Sequence, residues 1–331
     1  MADRFELSYI YARSCGSLKR SWGGPRSAEL IKLGRLSDVW RALFKDASPA
    51  LPENSLLEAI EQRVVKESLD DFTKLAAGLR TDEDFFIALR RKVEFARVKR
   101  VLLAVRDAEA HCPQSDDPDL PEGFDSSAYP RLEAMFARSR YSWIGKATLD
   151  DLPAAENRLD RQFYTELWQS LSSVPARRRD GIKSLLALEI ELENVVWALR
   201  LSRYYAMAPE IISGLLVRVP GFDVTSAALA GASRKLDRRS DWEGWKYEFL
   251  ITKAGEPWSL DVPALEIEAR RYLYRKLRHA LHLNPFTYTP LYCFYKIKEY
   301  EVAVLLGVIE GIHLGAPPEE IAAFALAGGG Q

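Results

Sequence analysis

The sequence predicts an all-α protein built from three related helical units, and three observations carry that prediction. Apolar residues recur every three to four positions through most of the 331 residues. No segment shows sustained apolar–polar alternation or a hairpin signal. One pattern also appears three times. "LPAAENRLDRQFYTEL" at Leu152–Leu167 returns as "VPALEIEARRYLYRKL" at Val262–Leu277, matching at Pro153/Pro263, Ala154/Ala264, Glu156/Glu266, Arg161/Arg271, Tyr164/Tyr274 and Leu167/Leu277. "ELENVVWALR" from Glu191 returns as "EYEVAVLLGV" from Glu299 at nearly the same offset, so a whole unit was copied. A fainter copy comes earlier, with Leu51-Pro52 opening an acidic helix and Glu94 starting "EFARVKRVLL". Units of this length suit three small domains better than a solenoid. We set them at 1–118, 119–207 and 208–331.

In chain order, the first strong helix is Glu53–Leu75, with Leu56, Leu57, Ile60, Val64 and Leu69 on one face. Asp82–Ala110 reads as one continuous helix with Thr81 as its N-cap. Pro113, Pro118, Pro121 and Gly123 mark Cys112–Pro130 as a linker. Ser142–Asp151 reads as a turn, and Pro153 suits the first turn of a helix reaching about Ser172. "RRRD" from Arg177 reads as a solvated loop, with a phosphate site as the second reading, before the strongest helix, Gly181–Tyr205, which Pro209 closes. Asp223–Leu236 and Glu243–Ile251 read as shorter helices, and the stretch from Gly255 to Pro263 as a loop. A helix led by Val262 follows. Pro285 and Pro290 restart the chain before a helix through Gly311, and Pro317-Pro318 open the last one, ahead of a mobile Gly328–Gly330 tail.

Composition bounds the function. With 28% charged and 47% hydrophobic residues the chain is globular, and its net charge of −1 gives no general support for nucleic-acid binding. Cys15, Cys112 and Cys293 are distant and odd in number, which predicts no disulfide framework and a reducing compartment. Asp3 and Glu6 do not suit a signal peptide. The longest apolar stretch, Val302–Ile309, is far short of the ~20 residues of a spanning helix, so a soluble chain is expected.

The search for chemistry mostly eliminates it. Gly145-Lys146 resembles half a phosphate loop, but Arg140 and Ala147 stand where glycine and a hydroxyl are needed. His279 and His282 share a helix face without further ligands to complete a metal site. There is no GxSxG elbow and no GxGxxG. Trp242, Trp245 and Trp258 read as core, with an exposed contact surface as the second reading. No catalytic, cofactor or metal residues are assigned, and no small-molecule substrate is expected.

The repeated acids need a separate account. Glu189, Glu191 and Glu193 lie on different faces of one helix, and Glu299 and Glu301 repeat the latter pair. At least one acid of each pair must approach the apolar side, where an unpaired carboxylate costs several kcal/mol. Arg200 shares the face of Glu193 two turns on. The preferred reading is that these acids tie neighbouring helices together within each unit. The other is an acidic surface for a basic partner helix.

Two segments resemble the C-subunit family of V-type ATPases, whose eukaryotic members are the d subunits. "LLALEIELENVVWALRLSRYY" from Leu185, with Glu191, Glu193, Asn194 and Arg200, is similar to the family's long second-domain helix. "NPFTYTPLYCFYKIKEYEVAVLLGVIEGIHLGAPPEEI" from Asn284, with Tyr295-Lys296, Glu299 and Glu301, is similar to its C-terminal signature. Asn194 has no counterpart at Val302, and Glu94 is followed by Phe95. The resemblance implies three helical domains in a pseudo-threefold funnel. It also implies a non-catalytic rotor subunit on the cytoplasmic face of a membrane, peripheral to it. Its partners would be central-stalk subunits of the D/F type and the membrane proteolipid ring, and its task torque transmission during ion transport. The alternative is a helical scaffold or adaptor without a rotary partner, which also has three domains and no catalytic set. A third possibility is an all-α enzyme with a pocket between helices, such as a transferase.

Overall fold

The computed structural model describes residues 4–22, 26–77, 84–109, 112, 120–146, 152–252 and 257–326. These residues are all-α, and their only β feature is an isolated antiparallel bridge between Val219 and Phe222. The helices are α1 (Arg4–Arg20), α2 (Ser27–Ile31), α3 (Leu36–Phe44), α4 (Glu53–Ala76), α5 (Asp84–Arg90), α6 (Lys92–Arg106), α7 (Leu132–Phe136), α8 (Leu152–Ser170), α9 (Ala176–Tyr205), α10 (Pro209–Leu215), α11 (Ser226–Ala232), α12 (Val262–Leu283), α13 (Thr289–His313) and α14 (Pro318–Leu326).

The long helices have the termini their sequences prescribe. Asp261 caps α12, its carboxylate accepting from the Ala264 N–H at 2.9 Å, and Pro263 occupies the first turn, where no intrahelical donor is needed. Ala206 closes α9 in the left-handed region at φ 49°, its N–H bonded to the Leu201 carbonyl.

Four expectations are corrected. Asp82–Ala110 is not one helix: it breaks at Arg91 into α5 and α6, and Tyr295 Oη donates at 3.1 Å to the Leu89 carbonyl near the end of α5. Thr81 lies outside the described residues, as does the glycine tail. "RRRD" is not a loop but the start of α9. There Arg178 covers the Tyr288 ring at 5.3 Å and Arg179 donates to the Leu171 carbonyl, so packing draws these arginines into the helix. Glu243–Ile251 is not an α-helix. Trp242, Trp245, Tyr247 and Leu250 are all buried, Gly244 turns the chain at φ +72°, and only short 3₁₀ turns form. The helix expected over Asp223–Leu236 is confined to α11, because the Asp223 carboxylate takes the Thr225 and Ser226 N–H groups and fixes a later start.

Much of the packing crosses the sequence units. α4 lies against α13, α8 against α5 and α6, and α12 against both α9 and α13. The apolar side chains gather into three cores accordingly. One joins the second half of α9 to α10, α11, Trp242, Trp245 and the first half of α12. Another joins the second half of α13 and α14 to α2, α3 and the first half of α4. The largest joins α6, α7 and α8 and extends to the facing parts of α1, α5, α9, α12 and α13. Each fully buried Leu, Ile or Phe in these cores contributes about 1.5–3 kcal/mol.

Candidate functional site

The most unusual chemistry lies where helices of all three sequence units converge. Glu189, midway along α9, is 3% exposed and would be costly there without partners. It accepts from Tyr164 Oη of α8 at 3.0 Å, from Tyr292 Oη of α13 at 2.9 Å and from Lys296 Nζ of α13 at 2.6 Å. Lys92 Nζ, from the first residue of α6, is 3.8 Å away. Glu299 completes the cluster, meeting Lys92 at 2.5 Å and Lys296 at 3.0 Å. The break at Arg91 is what brings Lys92 here, at the start of a new helix. Two carboxylates, two ammonium groups and two phenols thus close a balanced network across α6, α8, α9 and α13.

Its electrostatics follow from burial and charge. Burial raises the Glu299 carboxyl, but Lys296 and Lys92 outweigh it and hold the group at about 2. Burial pulls Lys92 down, and Glu299 and Glu189 more than reverse the effect, so its ammonium is reinforced. Burial first, and then Glu189, push the Tyr164 and Tyr292 phenols well above their ordinary value, which keeps them as donors.

The six residues singled out in the sequence are distributed around this cluster instead of converging on a pocket. Glu299 belongs to it. Glu193 is next to it, in a recess between α9 and α12 that also holds Glu266, Arg270 and Leu273. The Glu193 side chain is exposed, and crowding by α9 and α12 withdraws enough of its hydration to raise its carboxyl. Glu191 pairs with Lys246, tying α9 to the tryptophan-rich segment. Asn194 is 1% exposed and clasps the chain beyond α10. Its amide donates to the Val217 and Val224 carbonyls at 2.9 and 2.8 Å, and its oxygen accepts from the Val217 N–H at 2.9 Å. Arg200 reaches Glu266 of α12, which also receives Arg270 at 2.6 Å. Glu301 accepts from Ser21, which Lys298 also contacts, and burial raises its carboxyl. The acid of the first copy, Glu94, accepts from Tyr141 Oη at 2.7 Å. Most of these ties run between sequence units, not within them as the sequence suggests. They are long-range, and repeat spacing carries no information about which unit faces which.

Sequence reasoning finds Glu189 but not its place as the hub, and it misses Lys92 altogether. Glu189 between Leu188 and Ile190, and Lys296 inside "LYCFYKI", are charges in apolar runs, which is a readable sign of a buried pair. The discarded motifs have ordinary places. Gly145 packs so closely on Glu133 that a Cβ would come within 2.6 Å of its Cα, which accounts for the glycine. His282 Nδ1 is 2.9 Å from Tyr11 Oη. Among the described residues, no three histidines, cysteines or acids are grouped to hold a metal. A cavity of about 350 Å³ between α1, α3, α4 and α13 mixes Arg13, Arg20, Lys74 and Lys298 with Glu67, Asp71 and Glu301.

Residues 28–324 match the family described as the ATP synthase (C/AC39) subunit. The chain belongs to that family. Its members are non-catalytic parts of an ATP synthase complex, in keeping with the resemblance seen in the sequence. An uncharacterized protein of Treponema pallidum (strain Nichols) is 29% identical over 319 residues, covering 93% of each chain. The C subunit of the A-type ATP synthase of Methanosarcina mazei is 23% identical, and that of Methanosarcina barkeri (strain Fusaro) 22%, each over 195 residues. Those two matches cover 57% of this chain and 52% of the Methanosarcina proteins. No described helix of this family member is long and apolar enough to cross a membrane.

Proposed function

We propose that this protein is a stiff coupling piece of a rotary ATPase or ATP synthase. In this reading its three lobes stand around one axis. It receives the central stalk, of D/F-type subunits, on one side and rests on the membrane proteolipid ring on the other, peripheral to the cytoplasmic face. The observation that carries the reading is the Glu189 cluster. A part that passes torque between two partners must not shear, and a closed set of buried, charge-assisted bonds across four helices resists sliding because each bond has a short range and a fixed direction. Close-packed cores on either side of it add low compressibility. The family supports the assembly, and the Methanosarcina relatives, named for an A-type ATP synthase, support its type.

The test is reconstitution. The full chain, mixed with the stalk subunits and the detergent-solubilised proteolipid ring of the same organism, is expected to bind both and to be required for their joint recovery. A folded chain that binds neither partner overturns the proposal, and so does a stalk–ring complex that forms equally well without it.

A further inference from the structure

The second and third sequence units carry the same arginine, Arg161 and Arg271, but the two side chains have different surroundings. Arg271 is paired with Glu268, one turn earlier on α12. The position one turn before Arg161 on α8 is Arg158, which lies over the Trp143 ring at 4.2 Å. Losing the acid leaves Arg161 with no hydrogen bond or ion pair among the described residues. It lines a cleft of about 280 Å³ between α8 and the end of α10, together with Thr165, Ser213, Gly214 and Arg218. No carboxylate lines that cleft. Arg218 is held in place by Ser213, donating to its Oγ at 2.8 Å and to its carbonyl at 3.3 Å. The Ser213 hydroxyl accepts from Arg218 and so keeps its own hydrogen for a guest.

From this arrangement we infer an oxyanion-binding site at Arg161 and Arg218 that takes a phosphate group. Two guanidinium groups facing one open cleft without an acid repel each other, and an anion between them relieves that repulsion through charge-assisted bonds. The two guanidinium forks and the Thr165 and Ser213 hydroxyls supply more donors than the two oxygens of a carboxylate can use. The oxygens of a tetrahedral phosphate match them better. Both a free phosphate and the phosphate of an anionic lipid headgroup present this chemistry.

Calorimetric titration of the full chain with inorganic phosphate in a low-salt buffer addresses the first source. Co-sedimentation with phosphatidylcholine vesicles, with and without phosphatidylglycerol, addresses the second. Arg161→Gln or Arg218→Gln is expected to weaken binding about tenfold or more, Arg161→Lys to restore part of it, and Arg271→Gln, whose guanidinium is already paired, to leave it unchanged. Unchanged thermal melting of the Gln variants shows that the fold is intact. Arginine-dependent binding of phosphate supports a soluble ligand, and arginine-dependent binding of phosphatidylglycerol vesicles alone supports a headgroup. The site is disproved if wild-type protein binds neither probe, or if Arg161→Gln and Arg218→Gln bind as wild type does.

Discussion

Lys92 and Glu299 occupy the same place in the first and third sequence units, each two residues before the repeated acid Glu94 or Glu301, and they are paired with each other at 2.5 Å. Opposite charges at corresponding positions of the repeated pattern thus meet at the site that Glu189 also reaches. The second-unit equivalent, Glu191, pairs with Lys246 instead.

Removing one member of the cluster is predicted to cost far more than removing a surface pair. Lys296→Met leaves Glu189 buried with only its phenol donors and the more distant Lys92. About 3–5 kcal/mol of unfolding free energy is expected to be lost, measured by urea denaturation. The double variant Glu189→Leu/Lys296→Met is expected to lose less than the sum of its single changes, because no unpaired charge remains. Additive losses would contradict the cluster.

Glu299 and Glu301 are predicted to shape the pH profile with opposite signs. The folded value of Glu299 is about 2, below its ordinary 4.5. Its stabilisation is therefore complete above about pH 4.5 and drains away as pH falls toward 2, and it amounts to roughly 2–3 kcal/mol for a group one-third exposed. Glu301 is raised, so its folded carboxyl holds its proton longer than in the unfolded chain, and stability falls as pH rises through that interval. Glu299→Gln should flatten the acid limb of a urea-midpoint profile, and Glu301→Gln should remove a decline toward neutrality.

Asn194→Ala is expected to destabilise by about 2–4 kcal/mol, because it orphans the Val217 N–H and leaves two carbonyls without their donors. Asn194→Asp should be worse at neutral pH, where a carboxylate would face the same two carbonyls. Thermal melting across pH separates the two.

Two glycine-to-alanine changes are predicted to diverge. At Gly16 in α1 nothing lies within 4 Å of an added Cβ, and Gly16→Ala should stabilise by about 0.5–1 kcal/mol. At Gly181 in α9 the Cβ would come within 2.5 Å of Thr289 Oγ1 of α13, where the two helices approach closely. There the propensity gain is expected to be outweighed by about 1–3 kcal/mol of overpacking, which Thr289→Ala should relieve. Denaturant midpoints of the three variants check this.

Most of the long helices are legible in advance. α4, α8 and α12 present apolar stripes at helical spacing, and proline or acidic caps mark their starts, so periodicity finds them, whereas α9 and α13, buried on most faces, are found by their long apolar runs. The segment from Trp242 to Leu250 misleads because aromatic rings bury in several directions at once, which imitates a helical stripe without forming one. The break at Arg91 leaves no proline or glycine behind. Beside it Tyr295, 206 residues beyond Leu89 in sequence, donates to the Leu89 carbonyl. The cluster is hidden because the sequence displays its charges but not which of them meet.

The core shared by α2–α4 with α13 and α14 has a consequence for biosynthesis. Leu30, Val39 and Ile60 find their cover in Val308, Ile309 and Ile321. During translation α2–α4 therefore emerge long before the residues that shield them, and their greasy faces stay bare until α13 and α14 have left the ribosome. This lobe cannot close before then, and that interval is when a chaperone has most to protect.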